Sequence, residues 1–329
     1  MKKIAINGMG RIGRASLKII LDTPELELVA VNDIASIDNI AYLLKYDSAH
    51  GAFGKEVSVE GNNLIVDGKS IPFYNQKNPA ELPWKKLGVD IVIESTGVFT
   101  KEEDAQKHVD AGAKMVVISG PTSSGGVPTV VHGVNTKDGE STIFSCASCT
   151  TNNISPVIEI LGRRIGIQKA IMTTVHANTA SNQVVDAPSK KTRLGRAGMN
   201  NLIPTTTGAA TATTKAMPEY AGKFDGMAIR VPVAIGSVSD ITLVTAKKTS
   251  KEELNRIFTE EAATERYRKV IRVTNDPIVS SDIIKDPHAA IIDLEMTKVV
   301  DGDLVKVLAW YDNEWGFANQ MIRQILENV

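Results

Sequence analysis

The sequence predicts an α/β protein, a doubly wound and mostly parallel sheet joined to a second domain of α+β type. Three observations predict it. A strand, a glycine-rich turn, a helix and a second strand follow one another within the first 33 residues. Short apolar strands then alternate with helical stretches to about residue 118, and after Cys149 the strands lengthen and the alternation stops. A length of 329 residues agrees with two domains, at about 150 residues each.

The first strand is read at Lys2 to Asn7, followed by a turn through Gly8-Met9-Gly10-Arg11-Ile12-Gly13. A helix carrying Ile12, Leu17, Ile20 and Leu21 comes next and stops before Pro24, which cannot continue it. Leu26 to Val31 forms the second strand and ends at Asn32-Asp33, which completes a βαβ unit. Further strands are expected at Ile91 to Ile93 and Met115 to Ile118, with a helix from about Lys101 to Ala111 between them. Gly61-Asn62-Asn63 and Asp67-Gly68 divide stretches rich in Val and Ile and predict an antiparallel edge. In the second half a helix is expected from about Thr151 to Gly162, with strands at Ala170 to His176, Met227 to Val233 and Ile241 to Ala246. Small residues from Thr205 to Lys215 suit a tightly packed helix start, and Phe317, Met321, Ile322, Ile325 and Leu326 give Glu314 to Val329 helical spacing.

Composition narrows the function classes. Hydrophobic residues at 43% and charged residues at 23% fit a globular protein and are too apolar for a disordered one. Lys and Arg total 37 against 38 Asp and Glu, so no global field draws the chain to nucleic acid or anionic lipid, and an anionic ligand needs a local site. The apolar stretch Ile4-Ala5-Ile6 is too short for a signal segment, and no run approaches the ~18 residues of a membrane span. Two cysteines in one segment supply no disulfide framework. A cytoplasmic protein with no membrane partner and no specific nucleic acid partner is expected.

Gly8-x-Gly10-x-x-Gly13, between a strand and a helix, has the spacing of a dinucleotide-binding fingerprint, and Asp33 ends the next strand twenty positions on. The first glycine permits the turn, the second lets pyrophosphate approach the backbone, and the third lets helix pack on strand. The helix N-terminus presents unpaired N–H groups to the phosphates. A carboxylate at Asp33 accepts from ribose hydroxyls and repels a 2′-phosphate, which favours NAD over NADP; the other reading is a chance glycine pattern in a sharp turn. A Walker A loop ending at Gly68-Lys69-Ser70 fails because position 63 is Asn63. The five histidines are scattered and two cysteines make an incomplete shell, so no metal is expected.

Cys149 precedes Thr150-Thr151-Asn152-Asn153, polar residues that open a helix, whose N-terminal dipole favours a thiolate. His176 ends a strand, where it can pair with the cysteine across space. Residue type alone leaves this open against a buried small hydrophobe and a core histidine.

Taken together, these motifs resemble the glyceraldehyde-3-phosphate dehydrogenases. The resemblance lies in Ile6-Asn7-Gly8-Met9-Gly10-Arg11-Ile12-Gly13-Arg14, Ala147-Ser148-Cys149-Thr150-Thr151-Asn152 and His176-Ala177-Asn178-Thr179. It continues through Pro204 to Ala210, Gly226 to Pro232 and Trp310 to Gly316, in family order over essentially the whole chain. It implies a Rossmann-type NAD-binding domain at 1–148, a catalytic domain at 149–312, and a C-terminal helix at 313–329 returning to the first. It also implies oxidation of glyceraldehyde 3-phosphate with NAD and inorganic phosphate, through a thioester on Cys149 with His176 as base, in a homotetramer. Thr179 and Arg230 would hold the substrate phosphate, and Ser148, Thr150, Thr207 and Gly208 the attacking phosphate; plain β-propensity and capping are the alternative for the threonines. Arg11, Ile12, Asp33, Lys77, Ser119 and Asn313 would hold NAD, with Thr96 and Gly97 lining the same cleft and Phe317 beside the nicotinamide. Lys190 to Arg196 would lie in a loop at subunit contacts, or simply be a solvated surface loop.

Some positions depart from the family pattern. Cys146 stands where Asn is common and Asn153 where a second Cys is common, giving a Cys-x-x-Cys spacing; a buried Cys146 held at the wrong angle for bonding is preferred to a reversible disulfide with Cys149. Phe317 replaces the commoner Tyr. Asp33 with Pro188 reads as NAD-selective. Two other functions remain to be distinguished: an erythrose-4-phosphate dehydrogenase that hydrolyses its thioester, and a dinucleotide-binding protein without catalysis.

Overall fold

The computed structural model describes residues 1–136 and 141–327. These divide into two compact units. One comprises Met1–Val130, the segment ending at Ala147 and the residues from Met321 on; the other comprises Val131–Thr136 and Ser148–Gln320.

The first unit runs β1 (Lys2–Asn7), α1 (Arg11–Leu21), β2 (Leu26–Asn32), α2 (Ile37–Lys45), β3 (Val57–Glu60), β4 (Asn63–Val66) and β5 (Lys69–Tyr74). It continues through α3 (Trp84–Leu87), β6 (Ile91–Glu94), α4 (Glu102–Asp110), β7 (Met115–Ile118) and β8 (Ile143–Ser145). The sheet order is β3-β4-β5-β2-β1-β6-β7-β8. All pairings from β5 to β8 are parallel, and β3, β4 and β5 form the expected antiparallel edge. Central strands β1, β6 and β7 are almost wholly buried, which explains their continuous Ile and Val runs. Their carboxyl ends bring Asn7, Asn32 and Glu94 side by side in register.

The second unit begins with α5 (Cys149–Arg164) and β9 (Ile167–Ala177), then β10 (Ile203–Thr206), α6 (Ala209–Ala216), β11 (Phe224–Val231) and β12 (Ser237–Thr245). It goes on through α7 (Lys251–Ala262), β13 (Ile271–Thr274), β14 (Ala290–Asp293), β15 (Lys298–Val300) and β16 (Leu304–Tyr311), after which α8 (Trp315–Glu327) follows. Its sheet has the order β10-β11-β9-β12-β16-β14-β13, with β15 paired to β16. Ile154, Val157, Ile158 and Leu161 of α5 and Leu254, Ile257 and Phe258 of α7 bury one sheet face together with Ile241, Leu243, Val305 and Val307. Each such side chain contributes about 2 kcal/mol by leaving water. β12, and β16 from Val305 on, alternate strictly between buried and half-exposed residues, so a single face carries every inward group.

Several elements differ in their bounds from the sequence expectation. Helix α5 starts at Cys149 rather than Thr151, because the Ser148 hydroxyl accepts from Thr151 N at 3.1 Å and caps the helix two residues earlier. β11 ends at Val231, before Pro232, which has no N–H to give the ladder. β12 begins at Ser237, four residues before the expected Ile241, because buried Ser237 and Ser239 occupy inward positions that an apolar alternation does not reveal. The Thr205 to Lys215 stretch splits into the end of β10 and α6, with the Thr207 hydroxyl accepting from Ala209 N at 3.1 Å. No helix among the described residues is long and apolar enough to cross a membrane.

Candidate active site

In the first unit, the turn between β1 and α1 fits a dinucleotide by its glycines. A Cβ on Gly13 would lie 1.9 Å from the Gly8 carbonyl oxygen, and a Cβ on Gly8 would lie 2.6 Å from Thr96 N. Gly10, in contrast, meets nothing within 4 Å, which leaves its backbone open to a phosphate. A cavity of about 290 Å³ opens here and is lined by Gly8, Gly10, Asp33, Lys77 and Thr96, together with Asn7, Asn32 and Gln76. The Asp33 carboxylate accepts from Met9 N at 2.6 Å and Ala35 N at 2.8 Å, which fixes it at the cavity wall.

Other expected cofactor residues take different positions. Ile12 and Gly13 lie on α1, and the Arg11 guanidinium pairs with Asp47 at 2.8 Å. Gly97 adopts φ +72° in the turn after β6, and Ser119 N bonds Glu94 O. Asn313 and Phe317 belong to the second unit, where Asn313 Oδ1 accepts from Gly236 N at 3.2 Å and Ser237 Oγ at 3.1 Å, and Phe317 is buried.

The second unit brings Cys149 and His176 together. Cys149 opens α5 and His176 lies near the end of β9, and Sγ stands 3.4 Å from Nε2. Strand register supplies the surroundings: Arg230 of β11 is level with His176, Ser239 of β12 with Thr174, and Ser237 with Tyr311 of β16. Arg230 Nη1 lies 2.6 Å from His176 Nδ1 and donates to Ala177 O at 2.8 Å. Nδ1 thus faces a donor, Arg230 Nη1, and an acceptor, Ala177 O at 2.7 Å, while Nε2 faces the sulfur. Arg230 Nε is buried with no hydrogen-bond partner among the described residues, an unused donor of the kind an anionic oxygen satisfies.

Burial acts on both reactive groups. It pushes the Cys149 thiol up, against the opposing pull of Arg230 and the Thr150 hydroxyl and N–H. Burial also drives His176 down to about 3, and Arg230 adds to that effect. The helix N-terminus alone suggested a thiolate; desolvation in this pocket works against the charged form of both groups.

Tyr311 is the residue that motif reading left without a role. Its hydroxyl meets Thr150 Oγ1 at 2.9 Å and Thr174 Oγ1 at 2.8 Å, and its ring stands edge-on to His176 with centroids 6.0 Å apart. It lies inside the quoted Trp310 to Gly316 motif; an aromatic residue with a polar tip at a strand end was the available signal. The Thr150 hydroxyl, expected to face a phosphate, is directed at Tyr311 instead. Ser148 Oγ meets Thr151 Oγ1 at 2.8 Å besides capping α5, Thr179 Oγ1 meets Ser181 Oγ at 2.9 Å, and Gly208 is the residue before α6. Cys146 is a buried thiol whose backbone N–H bonds Ile118 O, and burial pushes its sulfur far up as well.

Comparison with known proteins decides the family. Residues 2–102 match the NAD binding domain of glyceraldehyde 3-phosphate dehydrogenase, and residues 148–313 match its C-terminal domain. The chain belongs to the glyceraldehyde-3-phosphate dehydrogenase family. It is similar to the glyceraldehyde-3-phosphate dehydrogenase of Zymomonas mobilis, 46% identical over 97% of this chain and 96% of the relative. Glyceraldehyde-3-phosphate dehydrogenase 1 of Kluyveromyces lactis is 47% identical over the full length of both chains. The Clostridium acetobutylicum enzyme is 44% identical over 99% of this chain and 98% of its own. The family makes this an NAD-dependent oxidoreductase, in agreement with the glycine cradle and Asp33.

Proposed function

We propose that the chain oxidises D-glyceraldehyde 3-phosphate with NAD and inorganic phosphate to 1,3-bisphosphoglycerate. The observation that carries this is the 3.4 Å contact between Cys149 Sγ and His176 Nε2 at the start of α5. His176 Nε2 takes the Cys149 thiol proton as Sγ adds to the aldehyde carbon and returns it to the developing oxyanion, which also accepts from the Cys149 backbone N–H, to give the thiohemiacetal hydroxyl. His176 then takes the hydroxyl proton as the carbon is oxidised to a thioester. Bound NAD supplies the hydride acceptor. Phosphate oxygen attacks the thioester carbonyl, and the Cys149 thiolate leaves as the acyl phosphate forms.

One unused donor supports the first anion site, and the remaining anion-site residues are those the family resemblance implies. Arg230, with its unpartnered Nε, and Thr179 hold the substrate phosphate. When Arg230 turns to that anion, Nδ1 of His176 can carry the ring proton to Ala177 O, 2.7 Å away, leaving Nε2 as the base. Ser148, Thr150, Thr207 and Gly208 hold the attacking phosphate. A hydrogen bond donated by the Tyr311 hydroxyl to Thr150 Oγ1 leaves the Thr150 proton free for that phosphate. On the cofactor side the roles fall to Gly8, Gly10, Arg11, Ile12, Gly13, Asp33, Lys77, Thr96, Gly97, Ser119, Asn313 and Phe317. The functional domains are 1–148, 149–312 and 313–329.

A cytoplasmic homotetramer is part of the proposal. Ile171 (61% exposed) and Met227 (42%) stand on neighbouring strands β9 and β11, and Val184, Val185 and Leu202 are also exposed, apolar surface suited to another copy. Light scattering should give about four times the 35.4 kDa chain mass, and a monomer mass overturns this part. The reaction is tested by following NADH formation from glyceraldehyde 3-phosphate and NAD with and without phosphate. Phosphate-dependent turnover that Cys149→Ala abolishes is expected. Turnover indifferent to phosphate identifies a hydrolytic enzyme, and normal turnover in Cys149→Ala overturns the mechanism.

A further inference from the structure

The first unit contains a buried hydrogen-bond system that the reaction above does not use. His108 of α4 is fully buried and Glu94, at the end of β6, is 1% exposed. Trp84, the first residue of α3, is also fully buried and stacks on the His108 ring with centroids 6.2 Å apart and planes 25° apart. Its indole Nε1, a donor only, lies 2.9 Å from His108 Nδ1. That bond makes Nδ1 the acceptor and places the ring proton on Nε2, which lies 3.0 Å from Glu94 Oε2.

A second series of donors converges on the same carboxylate. Gln76 N donates to Asn32 Oδ1 at 2.9 Å, Asn32 Nδ2 donates to Asn7 Oδ1 at 2.7 Å, and Asn7 Nδ2 donates to Glu94 Oε2 at 2.6 Å. Glu94 Oε1 takes the backbone N–H of Thr96 at 2.8 Å and also its hydroxyl. Donors thus surround both oxygens. Glu94, His108 and Trp84 do not line the cavity, whereas Asn7, Asn32, Gln76 and Thr96 all do. The side-chain amides of Asn7 and Asn32 in the wall are therefore tied from behind to one acceptor, which also takes His108 Nε2.

We propose that Trp84 and His108, acting through Glu94, are positioning residues for dinucleotide binding. The indole proton selects the imidazole tautomer, the tautomer aims Nε2–H at Glu94, and Glu94 sets which edge of Asn7 and Thr96 faces the cavity. Removing the imidazole donor lets the carboxylate turn and randomises the wall without touching the reacting groups. This rests on reading the Gly8 to Gly13 cleft as the NAD site.

Direct NAD binding, by calorimetric titration of the full chain, tests it together with steady-state kinetics. His108→Leu should raise the NAD dissociation constant about tenfold, with kcat at saturating NAD within about twofold of wild type. His108→Gln, which keeps a donor at the place of Nε2, should return the constant to within about threefold of wild type. Trp84→Phe, which keeps the ring and loses the N–H, should fall between the two. Val89→Ala, from the same apolar cluster as Trp84, should lower Tm without moving the constant. Wild-type affinity in His108→Leu overturns the proposal, as does equal weakening in His108→Gln or a weakening in Val89→Ala that follows its loss of Tm. Asp33→Ala separates the two readings: undiminished NAD binding there shows the cleft assignment at fault, whereas loss there beside normal binding in His108→Leu refutes the relay alone.

Discussion

Replacing Tyr311 by Phe removes one oxygen and leaves the ring. The edge contact with His176 is kept, while Thr150 Oγ1 and Thr174 Oγ1 each lose a partner at 2.8–2.9 Å. Both threonines are buried, at 4% and 1% exposure, so water does not replace the lost bonds. A hydrogen bond contributes about 1 kcal/mol net and an orphaned buried hydroxyl costs about 1–3 kcal/mol, so the variant should lose about 2–4 kcal/mol. For a unit of this size that lowers Tm by roughly 5–10 °C. Scanning calorimetry of wild type, Tyr311→Phe, Thr174→Val and the double variant measures it. Because the two side chains share a bond, the double variant should lose about 1 kcal/mol less than the sum of the singles. A Tm within about 1 °C of wild type, or strict additivity, would refute the claim that this hydroxyl ties α5 to β9.

Three further outcomes are expected. Gly13→Ala places a methyl 1.9 Å from the Gly8 carbonyl oxygen, so NAD titration should show binding lost or weakened by at least about a hundredfold. Ala147, buried at φ +57° just before the helix cap, tolerates no branching at Cβ. Ala147→Val should cost about 2 kcal/mol or more by calorimetry, whereas Ala147→Gly should be nearly neutral, since relief of about 1–2 kcal/mol is offset by the lost methyl and added chain entropy. Burial alone would raise Asp286, but the His288 ring and N–H and the Arg272 guanidinium hold it down to about 2. Its stabilisation is therefore complete above the unfolded value near 4 and is lost as pH falls through about 2. The Tm difference between wild type and Asp286→Asn should be constant near neutrality and shrink from about pH 4 downward.

Much of the site was legible because its parts are local. The spacing of Gly8, Gly10, Gly13 and Asp33 encodes a turn, a helix start and a strand end within one βαβ unit, and the structure gathers Gly8, Gly10 and Asp33 at one cavity. Polar residues after Cys149 announced a helix N-terminus, and α5 begins there. What stayed hidden involves buried polar groups. Ser237 and Ser239 face inward on β12 and so concealed the strand's first half from an apolar alternation. His108, read only as one of several scattered histidines, is completed by Glu94 and Trp84, 14 and 24 residues away.

The order of residues determined the glycine cradle, the alternating strands of the first unit and the placing of Cys149 at a helix start, since these depend on backbone sterics and on neighbours within a few positions. Only the tertiary structure decided which groups meet and what state they hold. Sheet register sets Arg230 beside His176 and carries Tyr311 to Thr150, 161 residues apart in the chain. Burial then works against charge on both Cys149 and His176, the opposite of what the helix dipole favours at the sulfur. Desolvation depends on everything packed around a group, and no window of sequence contains that information.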